Sequence, residues 1–222
     1  MQLTELISPI ITERVAPKQA FKAIFVMGPP GSGKNSIIDA HLSHLEFKLD
    51  DFDEVMQRYT TLSKKEGEYE HSYQLANQRR DLWLKSFLGL VINTTGRRQN
   101  NVLELKKLLE DYGYDTFGIF IRVPYDLAFQ RTQRRPQVST RTADVGRKVG
   151  AEYFDKAYVD SVANLKVFKN EFKPTNFAVV VNDPDNPYYE PSLLNLNRSL
   201  KRFLRLPAQN SIGQEKLDSF NQ

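Results

Sequence analysis

The segment that most limits what this chain can fold into is Gly28-Pro29-Pro30-Gly31-Ser32-Gly33-Lys34. It follows directly on the apolar run Ala23-Ile24-Phe25-Val26-Met27 and leads directly into Asn35-Ser36-Ile37-Ile38-Asp39-Ala40. Strand, glycine-rich turn and helix, in that order, form the context in which a G-x-x-x-x-G-K match becomes a phosphate-binding loop. Gly28, Gly31 and Gly33 open backbone shapes closed to other residues and let peptide N–H groups come close to anionic oxygens. The helix that opens at Gly33 directs its positive end at the same place, Lys34 adds a mobile cation, and Pro29 and Ser32 complete the cradle. A turn that binds nothing is the alternative, and the full spacing in this context argues against it. Position 35 is Asn, where the motif calls for Ser or Thr to bind magnesium. An amide oxygen can ligate a hard cation, and Ser36 stands next door on another helix face, so both are candidate metal ligands.

A length of 222 residues suits one domain with a substantial core, and 40% hydrophobic with 26% charged residues is ordinary for a globular chain. The formal charge of +4 suits an anionic ligand and is too small to establish nucleic-acid binding. With no cysteine, the chain forms no disulfide and offers no thiolate to a metal. Met1–Glu13 reads as an amphipathic helix rather than a signal peptide, and no run approaches the ~18 apolar residues of a membrane span, so a cytoplasmic protein without membrane partners is expected.

Short apolar strands alternate with helical patterns, which predicts an α/β, three-layer sandwich around a five-stranded parallel sheet. The strands are expected at Ala23–Met27, Phe47–Leu49, Leu90–Asn93, Phe117–Val123 and Phe177–Val181. Helices are expected at Phe52–Ser63, Tyr69–Leu88, Asn101–Tyr112, Asp126–Arg134 and Ala143–Asn170, with a loop at Pro136–Thr142. Residues 1–206 read as a single domain with an arginine-bearing lid around 131–147, and residues 207–222 as a polar, mobile tail.

A phosphate loop by itself says nucleotide, not reaction. The third strand ends in Val91-Ile92-Asn93-Thr94-Thr95 and the fourth in Val123-Pro124, so neither supplies the acid that motor ATPases place there. No Asn-Lys-x-Asp pattern for guanine is present, which moves the weight toward small phosphotransferases. Such enzymes need a carboxylate to take the proton of the acceptor hydroxyl. The second strand ends in Leu49-Asp50-Asp51-Phe52-Asp53, and a parallel sheet carries its ligands outside the carboxyl ends of its strands. One of Asp50 and Asp51 is therefore expected to act as base while the other caps a helix or touches substrate. Arg131, Arg134, Arg135, Arg141 and Arg147 follow the fourth strand, and Arg131 and Arg135 share a helix face. Guanidinium forks of this kind suit the charge that builds on a transferring phosphoryl group. Asn93, Thr95 and Arg97, at the end of the third strand, could hold the acceptor. Tyr69, Tyr73, Trp83 and Phe87 read as helix packing, and the histidines have no metal-ligand spacing.

These pieces, over about Phe21 to Asp185, resemble the zeta-toxin and polynucleotide 5′-kinase branch of P-loop kinases. The D-D-Y element of the phage polynucleotide kinases and the D-x-F element of zeta toxins both register on Asp50, which the resemblance makes the catalytic base. The zeta pattern E-G-T-G-R registers on Asn93-Thr94-Thr95-Gly96-Arg97, with Asn93 in place of the acid. The lid arginines of the two patterns register on Arg131, Arg135 and Arg141, and Asn182-Asp183 on the segment that borders adenine. The resemblance implies a P-loop NTPase fold of the kinase type, ATP and Mg2+ as cofactors, and γ-phosphate transfer to a hydroxyl of a nucleic acid, nucleotide or nucleotide-like acceptor. A sugar-nucleotide kinase with a small antitoxin partner, and a nucleotide-binding protein with little turnover, are the alternatives it leaves open.

Overall fold

The computed structural model describes residues 19–51, 69–138 and 149–220. Along the chain run β1 (Lys22–Met27), α1 (Lys34–His41), β2 (Lys48–Asp50), α2 (Tyr69–Lys85), β3 (Leu90–Thr94), α3 (Gln99–Asp111), β4 (Asp115–Arg122), α4 (Tyr125–Val138), α5 (Ala151–Glu171), β5 (Phe177–Val181), α6 (Tyr189–Arg205) and α7 (Ser211–Phe220). The expected helices at Met1–Glu13 and Phe52–Ser63, and the stretch from Ser139 to Lys148, lie outside the described residues.

The five strands form one sheet in the order β2-β3-β1-β4-β5, and every neighbouring pair is parallel. β1 is buried along its whole length, as an apolar central strand covered on both faces must be. Its side chains alternate between two cores. Ala23, Phe25 and Met27 join Leu84 of α2, Val102 and Leu109 of α3, and Phe168 of α5 on one face. Ile24 and Val26 join Ile37 and Ile38 of α1, and Leu196, Leu200 and Phe203 of α6, on the other. This is the three-layer α/β sandwich that alternating strands and helices imply.

The register decides what meets at the carboxyl ends of the strands. Met27 pairs with Thr94 and Asp50 with Ile92, so the chain leaves β1, β2 and β3 along one rim of the sheet. β5 keeps the expected bounds, whereas β2 is displaced by one residue and ends on Asp50 itself. An edge strand three residues long, Lys48-Leu49-Asp50, carries too little alternation to fix its own limits. α4 also runs on through Pro136, where a loop was expected. Proline there has no N–H to give to the carbonyl four residues earlier, so the helix forgoes one hydrogen bond just before it ends.

The segment after Pro207 differs most from its sequence reading as a mobile polar tail. Gln209 N–H donates to Asp115 Oδ2 at 2.8 Å, and Asn210 Nδ2 donates to the Glu110 carbonyl at 2.8 Å. Asn210 Oδ1 then accepts from Ile212 N–H at 3.0 Å, capping α7. Gly213 lies so close to Gly113 that a Cβ on Gly213 would sit 2.2 Å from the Gly113 carbonyl oxygen. Lys22 Nζ joins this seam by pairing with Asp115 Oδ2 at 2.7 Å, with side chains only 4% and 7% exposed, and by donating to the Pro207 carbonyl at 3.1 Å.

A buried pair of this kind is destabilising to break because the remaining charge is left in a poor solvent. Asp115→Ala should therefore lower the unfolding free energy by about 3–5 kcal/mol. Glu110→Gln, at the part-exposed pair with Lys106 on α3, should change it by about 0–1 kcal/mol. Urea unfolding of the two variants, followed by circular dichroism, measures the difference.

Candidate active site

The phosphate loop begins where β1 ends. Ser32 N–H donates back to the Pro29 carbonyl at 3.2 Å, and Ile37 N–H to the Gly33 carbonyl at 3.1 Å, which closes the first turn of α1. Gly31 and Gly33 have φ of +74° and +87°, a region that side chains strain to enter. Space makes the requirement stricter. A Cβ on Gly31 would lie 2.1 Å from the Ala128 carbonyl oxygen of α4, and one on Gly33 would lie 2.1 Å from Asn182 Nδ2. α4 therefore rests on the loop, and it is held to α5 by Tyr125, Phe129, Phe154 and Tyr158 and by the Tyr158 hydroxyl, which donates to the Val123 carbonyl at 2.7 Å.

Asn182 stands just past β5 and braces the loop from the other side. Its Nδ2 donates to the Ser32 carbonyl at 2.7 Å, its own N–H donates to Arg122, and its carbonyl accepts from Arg131 Nη1 at 3.1 Å. Burial pushes the Arg131 guanidinium below its usual range, with Asp183 opposing the shift. Lys34 Nζ donates to the carbonyls of Gly28 at 2.8 Å and Pro29 at 3.0 Å. Ser32 Oγ is buried and without a partner, and α1 has no side-chain cap at Gly33. An unpartnered hydroxyl, an uncapped helix start and an ammonium thus lie together in the loop, groups suited to an anion.

The two aspartates at the end of β2 have different surroundings. Asp50 receives Arg80 Nε of α2 at 2.5 Å, and the two side chains are 2% and 21% exposed. Arg80 Nη1 also donates to Asn77 Oδ1 at 3.1 Å, and neighbouring Arg79 stacks on Trp83 with 4.7 Å between guanidinium and ring. Asp51, also buried, accepts at Oδ2 from Asn93 Nδ2 at 2.9 Å. The same Nδ2 donates to Asn35 Oδ1 at 3.0 Å, while Asn93 Oδ1 is buried with no partner. Asn35 of the loop helix, Asn93 of β3 and Asp51 after β2 therefore form one hydrogen-bonded group. The oxygens of Asn35 and Asp51 suit a hard divalent cation. Ser36, the other candidate ligand, is exposed. No cluster of three His, Cys, Asp or Glu residues occurs among the described residues.

Thr95 and Arg97 lie in the turn after β3. Thr95 Oγ1 accepts from Arg97 N–H at 3.4 Å, its carbonyl accepts from the Ser161 hydroxyl, and Asn164 Nδ2 donates to the carbonyls of Gly96 and Arg97 at 3.0 and 2.9 Å. The Arg97 guanidinium lies over the Tyr153 ring at 5.1 Å. A cavity of about 390 Å³ opens here, lined by Arg97, Arg98, the start of α3 and Asp160 and Asn164 of α5. Because Thr94 pairs with Met27, this turn leaves the sheet beside the phosphate loop.

The structure thus brings Lys34, Asn35, Asp50, Asp51, Asn93, Arg131 and Asn182 to one rim. Arg141 and the Arg135 side chain lie outside the described residues. Arg80 is the residue that sequence reasoning passed over. Its signal was present: it sits four residues from each of Ala76 and Leu84, both buried, so it occupies the inward stripe of α2.

Among the described residues no helix is long and apolar enough to cross a membrane. No curated protein matches the sequence significantly. Among solved structures, the chain is similar to one from the PezAT chromosomal toxin–antitoxin system of Streptococcus pneumoniae, at 16% identity and a TM-score of 0.54, covering 98% of this chain and 93% of that one. It is also similar to a chain of the AvrRxo1-ORF1:-ORF2 complex with ATP, at 11% identity and a TM-score of 0.58, covering 94% of this chain and 70% of that one. At such identities the likeness shows a common fold. The zeta toxin family model matches residues 10–193, most of the chain, and with the phosphate loop in place at the end of β1 the protein belongs to the zeta toxin family of P-loop kinases.

Proposed function

We propose that this kinase moves the γ-phosphate of ATP to a hydroxyl of a small nucleotide-like acceptor, with a sugar nucleotide as the leading class. The observation that carries the reading is the Asn93 amide, which ties Asp51 to Asn35 at 2.9 and 3.0 Å and so sets the carboxylate that follows β2 beside the phosphate loop. Family membership adds the kinase chemistry. For the acceptor, a cavity of about 390 Å³ lined by Arg97 and Arg98 has the size of a small-ligand site. A polynucleotide 5′ end is the other class, and the exposed Lys156 and Lys166 of α5 are its best support.

In this reading the loop amides and Lys34 hold the β and γ phosphates. Lys34 exchanges the carbonyls of Gly28 and Pro29 for phosphate oxygens, and Ser32 Oγ gains an acceptor. Asn35 and Asp51 are the residues that would hold Mg2+, which would supply neutralisation of phosphate charge. Asp50 accepts the proton of the acceptor hydroxyl, with Arg80 holding its carboxylate in place. Arg131, with Arg135 and Arg141, offsets the charge that spreads over the equatorial oxygens. Asn182 and Asp183 border the nucleotide while Asn182 braces the loop. The toxin–antitoxin origin of one structural neighbour suggests a small inhibitory protein as partner.

The protein incubated with ATP, Mg2+ and a panel of uridine diphosphate sugars should add about 80 Da, one phosphoryl group, to at least one of them. Labelling of 5′-hydroxyl oligonucleotides alone, with steep salt dependence of binding, would reassign the acceptor to nucleic acid. Asp50→Asn should lower kcat by about 10²–10⁴-fold with ATP affinity nearly unchanged. Normal turnover by that variant would place the base elsewhere. Expression in bacteria should arrest growth, and the same substitution should relieve the arrest.

A further inference from the structure

The Asn93 carboxamide is satisfied on one side only. Its Nδ2 donates to Asn35 Oδ1 at 3.0 Å and to Asp51 Oδ2 at 2.9 Å, while its Oδ1 is buried and partnerless. Each of its two N–H bonds is aimed at an oxygen, one of them on a carboxylate. Two such oxygens repel unless something positive lies between them, and here the amide –NH2 fills that place. The same amide carries its orphaned acceptor on the opposite side, and the terminal torsion of Asn is broad and roughly two-fold, so a half-turn exchanges the two ends without a change of backbone.

We propose that Asn93 is a two-state ligand for the divalent cation that accompanies the nucleotide. Without the cation its –NH2 bridges Asn35 and Asp51. With the cation the carboxamide turns over, and Oδ1 joins Asn35 Oδ1 and Asp51 Oδ2 as a third protein oxygen. The set is rich in hard oxygen donors, as such cations require, and carries one formal negative charge. Its hold on the metal alone is weak, and the triphosphate supplies the remaining charge and ligands. The inference rests on the phosphotransferase reading for that reason.

The test uses Mn2+ as probe on the full chain with ADP, reading free Mn2+ by electron paramagnetic resonance. Asn93→Ala should weaken bound Mn2+ about 10–100-fold. Asn93→Asp should tighten it, since a carboxylate presents oxygen in either orientation, and should lower the melting temperature in EDTA by setting two carboxylates face to face. Circular dichroism checks that both variants are folded. Should Asn93→Ala fail to fold, the native protein still decides the matter: adding Mg2+ and ADP should shift the Asn93 side-chain NH2 resonances and free them from Asp51. Unchanged Mn2+ affinity in folded Asn93→Ala, weaker binding in Asn93→Asp, or unmoved Asn93 amide resonances would overturn the proposal. ADP affinity measured in EDTA separates the two layers. Absence of any nucleotide binding in EDTA and in excess Mg2+ alike sinks the phosphotransferase reading, whereas normal nucleotide binding with metal affinity indifferent to Asn93 sinks only this one.

Discussion

The hydrogen bond from Asn182 Nδ2 to the Ser32 carbonyl, 2.7 Å long and spanning 150 residues of sequence, keeps the phosphate loop in its working shape. A loop whose N–H groups face an anion must turn its carbonyls outward, and a carbonyl buried without a partner is destabilising. Asn182 satisfies this one from beyond β5, and its own carbonyl passes the constraint on to Arg131 of α4. The contact is so close that Gly33 has no room for a Cβ. The loop is therefore set by β1 beneath it, β5 beside it and α4 above it, and its glycines answer to neighbours as much as to a ligand.

Around that loop three charged side chains have partners among the described residues. Lys34 lies on two loop carbonyls, Asp50 on Arg80, and Asp51 on the Asn93 amide. The Lys34 contacts are local and can be exchanged for ligand atoms of the same sign. Lys34 can trade carbonyl oxygens for phosphate oxygens with a single side-chain movement. A site that exchanges partners in this way needs little reorganisation when substrate arrives, which is the condition under which fixed dipoles stabilise a transition state best.

The sheet was legible in the sequence because its strands carry apolar runs between polar turns; β1 is buried on both faces, and Phe177–Val181, at the edge and only half-buried on one face, still matches to the residue. The loop was legible because its chemistry is local. What escaped was whatever depends on contact between distant segments. α7 looked like a solvated tail because its polar side chains were counted, while the carbonyls and the buried carboxylate that receive Gln209, Asn210 and Lys216 belong to α3 and the residues after it. Arg80 went unremarked, although its place between Ala76 and Leu84 faced it inward. The bond from Asn35 to Asn93 crosses 58 positions and leaves no mark on either local pattern.

Taken singly, Asn35 and Asn93 each look like the loss of a ligand, a hydroxyl in one case and an acid in the other. They touch each other at 3.0 Å, so they are one feature rather than two. The third member, Asp51, decides what the other two can be. With a carboxylate 2.9 Å from Nδ2, an acid at position 93 would set two negative groups face to face in a buried setting whenever the cation was absent. An amide at 93 removes that repulsion and supplies a donor, and the amide oxygen at 35 gives the donor's second hydrogen somewhere to go. A serine hydroxyl at 35 is shorter by one atom than the Asn side chain and brings a donor of its own. The amide pair adds no charge beside Asp51 and so lets the three side chains stay assembled through hydrogen bonds alone.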